Sequence, residues 1–260
     1  VVFVISELVC VVCVPERPVA CDEKPGKISD MFKALFKNDQ AMTVVVSIIL
    51  VYTSLNICGN LVLYFFRFDV GNEGAYSIFA AVAFAAQVLV MMVIPLLRKR
   101  FSKSQLFISG FIIQIAGFAV ILIMAFAKLY TPQSWYILCL PGILIYLGYG
   151  MLNVIMTIFL SDSVDYGEVM NGTREESVIF SMQTFTVKLA SGVAVFLAGL
   201  VVDWIHLDTA AAVQTQDTLD ALRMWMTIPS VILLIVGIFV FKRFYKLDDA
   251  RMEEIKSKLN

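Results

Sequence analysis

The sequence predicts an all-α protein that crosses a membrane several times, and three observations carry that expectation. Of its 260 residues, 60% are apolar and only 16% charged, whereas a soluble domain carries about 45–50% and about 25%. With one exception the charges avoid six apolar runs, each long enough to cross the roughly 30 Å hydrocarbon core as a helix. The runs lack the alternation of barrel strands, which leaves helices as the way to satisfy their backbone groups in lipid.

The expected spans are 43–66, 75–97, 105–127, 134–160, 177–202 and 224–241, and the apolar stretch 1–14 reads as the end of a truncated preceding helix. Segment 15–42 is a polar central loop. Within it Ile28, Met31, Phe32, Leu35 and Phe36 recur at helical spacing behind Ser29 or Asp30 as N-cap, the pattern of a helix lying along the interface. In the tail, 242–260, Asp248 and Asp249 open a second amphipathic run carrying Met252, Ile255 and Leu259. Lys and Arg crowd one set of loops: Arg17, Lys24, Lys27, Lys33 and Lys37; Arg98, Lys99, Arg100 and Lys103; Arg174; and the tail. The other set holds Arg67, Lys128 and Arg223. The positive-inside rule therefore makes the N-terminal segment and the tail cytoplasmic, with the protein multi-pass in the cytoplasmic membrane.

The 20 basic residues are matched by 21 acidic ones, so no excess charge exists to track a phosphate backbone and nucleic acid is excluded as a partner. The five cysteines are scattered in or beside apolar stretches and read as packing residues. Cys10 and Cys13 form a C-x-x-C with no further ligands at metal spacing, so no metal or cofactor is expected.

Only Lys188 falls well inside a run, about 16 Å of helix from either end of 177–202. An ammonium at that depth is costly and by default marks a functional site. At 100° per residue Ser177, Ser181, Thr184, Lys188, Gly192, Val195 and Gly199 share one stripe. Gly192 and Gly199 read as close helix packing, while Ser181, Thr184 and Lys188 suit a solvated cavity. Tyr52, Thr53, Asn56 and Asn60 on the first span and Tyr146, Tyr149, Asn153 and Thr157 on the fourth give two more polar faces at similar depth. Amides and hydroxyls both donate and accept, and rings cover apolar sugar faces, so a polyol would suit this lining.

Beyond the fourth span the loop reads SDSVDYGEVMNGTREES, placing Asp162, Asp165, Glu168, Arg174 and Glu175 close together. Such a mixed cluster at a cavity mouth is a candidate cytoplasmic gate that makes ion pairs in one conformation and breaks them in another.

KNDQ (37–40), VDYGE (164–168), Arg174 followed by Glu176-Ser177, SMQTFTVKLAS (181–191) and FKRFYKLDD (241–249) occur here in order and at family spacing. With them the chain resembles the C-terminal half of the glycoside-pentoside-hexuronide:cation symporter family of the major facilitator superfamily, closest to its melibiose-carrying branch. The resemblance implies a second, N-terminal six-helix half as partner, which supplies the carboxylates for a coupling Na⁺ or H⁺. It also places Gln183, Thr184 and Lys188 on a cavity-facing helix. Asn153 stands where that branch has a tryptophan.

The function so implied is cation-coupled symport of a sugar or glycoside by alternating access, with no catalytic residues. A same-fold carrier of lipid or drug, or an uncoupled facilitator, is the nearest alternative; an intramembrane enzyme or a structural subunit is remoter. The only histidine, His206, sits outside the spans, as does every carboxylate.

Overall fold

The computed structural model describes residues 36–172, 176–211 and 213–259. The stretch 1–14, its Cys10 and Cys13, and all but the last residue of the expected interfacial helix 28–36 lie outside them, as do Arg174 and Glu175. Six long helices run through the described chain: α1 (Asp39–Tyr64), α2 (Ala75–Leu97), α3 (Lys103–Phe126), α4 (Cys139–Asn171), α5 (Glu176–Trp204) and α6 (Gln216–Phe244). A short α7 (Asp249–Leu259) follows. All six long helices are long and apolar enough to cross a membrane. The protein is an all-α, multi-pass membrane protein.

Local chemistry sets the helix ends. Asn38 caps α1 by accepting from the Ala41 amide at 2.9 Å, and Ser102 with Gln105 forms a reciprocal capping box on α3. Thr215 caps α6, and α4 closes on Gly172, whose φ of 73° needs no side chain. Three ends depart most from the sequence reading, one of them the start of α6, which lies at Gln216 rather than at 224. After Tyr64 the chain continues through a π-helical turn, Phe65–Asp69, and α4 runs on to Asn171 rather than ending at 160. Asp162, Asp165 and Glu168 are therefore helical residues, not loop residues.

Two helices form the centre. The helix α1 packs on α6, α5 and α4, while α4 packs on α3 and α2, and α3 meets α6. Exchanging α1–α3 for α4–α6 leaves these principal contacts unchanged. Three crossings per unit also make the second triplet start on the opposite side, which is the logic of inverted repeats.

The seams depend on glycine. A Cβ on Gly148 of α4 would stand 2.5 Å from the Gly110 carbonyl and 2.6 Å from the Gln114 amide nitrogen of α3. One on Gly117 would meet the Ile145 nitrogen at 2.7 Å. Gly192 and Gly199, expected to pack closely, have nothing within 4 Å of a built Cβ. They lie on the open side of α5, opposite the buried ridge of Ile179, Thr186, Ala190, Ala194 and Ala198. Elsewhere Ser54 and Ser230 donate to each other's carbonyls at 3.1 and 2.8 Å, pinning α1 to α6.

The outward faces are apolar: Phe84, Leu89 and Met92 on α2 are 59%, 63% and 70% exposed, as hydrocarbon surroundings allow. Replacing Gly148 by valine should destabilise the bundle by about 1–3 kcal/mol or more, because the obstacle is backbone. Gly199→Ala should stay within about 0.5 kcal/mol of the parent. Thermal unfolding of the two variants in one detergent makes the comparison, and equal losses would contradict the seam.

Candidate functional site

Polar residues of α1 and α4 meet midway along the bundle. The Asn153 amide donates to the Tyr52 hydroxyl at 2.6 Å, and the rings of Tyr52 and Tyr149 meet edge to face at 5.5 Å. Tyr149 is buried, with Tyr146 against it at 6.5 Å. Asn56 and Asn60 each donate one amide hydrogen, to the Tyr52 and Asn56 carbonyls respectively, both at 2.7 Å, and keep a second N–H. Each side chain thus keeps one N–H donor and its carbonyl oxygen acceptor for a ligand. Thr53, grouped with this face in the sequence reading, is buried instead, and its hydroxyl has no hydrogen-bond partner among the described residues.

On α5, Ser181, Thr184 and Lys188 are exposed. Gln183 is half-buried and its amide reaches Thr157 of α4 at 3.4 Å, a long contact that links the two helices. The Thr184 hydroxyl turns back to the Phe180 carbonyl at 3.3 Å. The structure thus joins Tyr52, Tyr149 and Asn153 directly. It sets Lys188 on the same open side of α5 as Ser181 and Thr184, with no carboxylate paired to it among the described residues.

The charges expected to form an exposed gate separate into different kinds. Asp162 is buried, 5% exposed, and pairs with the equally buried Lys103 of α3. Because α4 stays helical past 160, this carboxylate faces into the bundle. Asp249 of α7 stands 3.5 Å from the same Lys103 and 3.4 Å from Arg98. Asp165 and Glu168 are half-buried on the last turns of α4.

Sequence reasoning missed a second cluster at the opposite end. Arg223, read as a loop charge, lies inside α6 and is 2% exposed. Its Nε and Nη2 hold both oxygens of Asp69 at 2.8 and 2.5 Å, and Nη1 holds Asp220 at 2.7 Å. The π-helical turn presents Asp69, and Tyr130 donates to the same carboxylate at 2.7 Å. Burial, then the Asp69 charge, pushes the Tyr130 hydroxyl up. The Asp220–Arg223 spacing was the one legible signal for this cluster.

The KNDQ motif also has a structural part. The Asn38 amide donates to the Ser163 carbonyl at 2.8 Å, so the α1 cap also holds α4. Gln40 accepts from the Lys246 amide at 2.7 Å and donates to the Phe244 carbonyl at 3.3 Å, closing the end of α6.

Six membrane-length helices packed as two exchangeable triplets, with polar side chains of α1 and α4 meeting between them, define the class: an all-α, polytopic membrane bundle. The MFS/sugar transport protein family matches residues 4–249, and the chain belongs to it. It is 25% identical to an uncharacterized symporter, YjmB, of Bacillus subtilis over 90% of this chain and 49% of that one. It is 23% identical to a raffinose carrier protein of Pediococcus pentosaceus, over 89% and 35%. To an isoprimeverose transporter of Lactiplantibacillus pentosus it is 25% identical, over 87% and 46%. The chain thus spans about half or less of these relatives' length.

Two measurements check the end clusters. Arg223→Gln leaves the Asp69 charge buried without its partner and should cost about 3–5 kcal/mol of stability, measured by thermal unfolding. A loss under about 1 kcal/mol would contradict the pairing. At the other end, burial works to raise the Asp249 carboxyl, but the Lys103 ammonium and the Arg98 guanidinium outweigh it and hold it below its ordinary value. A depressed carboxyl adds stability above its unfolded pKa and loses it as pH falls through the folded one. Docking of α7 should therefore weaken in acid, below the usual carboxylate range, seen as faster amide exchange at 252–257. Asp249→Asn should show the fast exchange already at pH 7.

Proposed function

We propose that this chain forms one six-helix bundle of a secondary transporter that carries a sugar or glycoside together with Na⁺ or H⁺ by alternating access. Its relatives include a raffinose carrier protein, an isoprimeverose transporter and lactose permeases, and the Tyr52–Tyr149–Asn153 cluster supplies rings and amides suited to a polyol. In this reading Tyr52, Asn56, Tyr149, Asn153, Ser181, Gln183, Thr184 and Lys188 face the cargo and cation. A second six-helix half supplies the opposite wall and the cation's carboxylates. The reading is transport rather than catalysis, in line with relatives that are carriers.

The observation that carries the proposal is Lys188. A charge near the bilayer centre costs about 2.5–3.5 kcal/mol on insertion scales. This one sits on the open side of α5 and pairs with no carboxylate among the described residues. Water or a partner across a cavity answers that need, and lipid does not.

The tail end of the bundle is cytoplasmic in this reading, because Lys and Arg concentrate there. Asp165, Glu168, Arg174 and Glu175 then belong to the inner gate, while Asp162 acts as a fixed strut beneath them.

Lys188→Ala in the whole transporter should abolish cation-stimulated sugar accumulation and leave membrane insertion intact. Radiolabelled uptake with and without a cation gradient, beside a blot of the membrane fraction, measures both. Undiminished cation-driven accumulation would overturn the role of Lys188. Cation-independent equilibration in the unaltered protein would instead assign an uncoupled facilitator.

A further inference from the structure

At the end of the bundle that carries α7, two basic and aromatic clusters flank the start of α3. On one side the chain leaving α2 presents Lys99 and Arg100, both exposed, and Phe101, 47% exposed. Its path is held by an Arg98 bond to the Phe101 carbonyl at 3.2 Å. On the other side the last turn of α6 presents Lys242 and Arg243, also exposed, and Phe244, 50% exposed, with the Arg243 guanidinium over the Phe244 ring at 5.6 Å. The Phe107 and Phe241 rings meet at 4.5 Å just inside, which holds the start of α3 against the end of α6, and each cluster adjoins one of these two ends along the chain.

The nearby acidic groups are engaged elsewhere. Asp249 is held by Arg98 and Lys103, Asp162 by Lys103, and Asp248 accepts from the Arg251 amide at 2.8 Å. None of Lys99, Arg100, Lys242 and Arg243 pairs with a carboxylate among the described residues. Both clusters close membrane-length helices, so their rings lie at headgroup depth and their cations just outside the hydrocarbon.

We propose that this edge is a binding site for an anionic phospholipid, whose phosphodiester lies between Lys99 and Arg100 on one side and Lys242 and Arg243 on the other, with Phe101 and Phe244 against its upper acyl chains. The chemistry is that of basic side chains at a membrane surface: cations meet phosphate oxygens while rings sit at the interface. Arg adds forked hydrogen bonds to phosphate that a lysine cannot make. The site depends only on the helices crossing a bilayer, so it stands or falls separately from sugar transport.

Native mass spectrometry of the full chain, titrated with phosphatidylglycerol or with phosphatidylcholine of the same acyl chains, tests it. Phosphatidylglycerol should bind about tenfold more tightly or better, and Lys99→Gln/Arg100→Gln/Lys242→Gln/Arg243→Gln should remove that preference. Arg251→Gln/Lys256→Gln, on the exposed side of α7, should leave it intact. Thermal unfolding monitors folding. If the fourfold variant unfolds, each pair of substitutions alone should weaken the preference by an intermediate factor. Equal affinity for the two lipids, or an unchanged preference in the folded variants, would overturn the proposal. Displacement of the lipid by millimolar inorganic phosphate would overturn it too, since the site would then hold phosphate without an acyl chain.

Discussion

In hydrocarbon there is no water to solvate a stray polar group, and this bundle is organised around that constraint. Its buried charges are gathered at the two ends and paired there: Asp69 with Arg223 at one, Asp162 with Lys103 at the other. Between the ends, polar contacts across helices are spare and specific, such as the reciprocal Ser54 and Ser230 bonds. Lys188 is the exception. It remains outside the pairing scheme because its open side has no counterpart among the helices described.

The paired ends and glycine seams together make the bundle a rigid unit. Each end cluster ties helices from both triplets, since Asp69 and Arg223 join α1 to α6 while Lys103 and Asp162 join α3 to α4. Gly110, Gly117 and Gly148 let α3 and α4 approach to backbone contact. Interiors so packed respond by moving as blocks rather than by stretching. The alternating access proposed above requires that property, and α7 adds to it by setting Asp249 against Lys103 and Arg98.

Much of the candidate site was legible because it breaks a pattern. Lys188 stands out against an uncharged run, and the stripe through Ser181 and Thr184 follows from helical spacing alone. The contact of Tyr52 with Asn153 joins residues 101 positions apart, and no local signal pairs them. Gly192 and Gly199 illustrate the limit: small residues at helical spacing describe a face, and only its neighbours decide whether anything packs on it.

Composition and run length determined the fold class, the six crossings and the isolated ammonium, because hydrocarbon thickness and the price of charge act on sequence directly. Tertiary structure decided which charges are struts and which are free. Asp162 and Arg223 read as solvated loop residues until α4 and α6 extend beyond the apolar runs and carry them inside. A helix end is set by caps and packing rather than by where hydrophobicity stops.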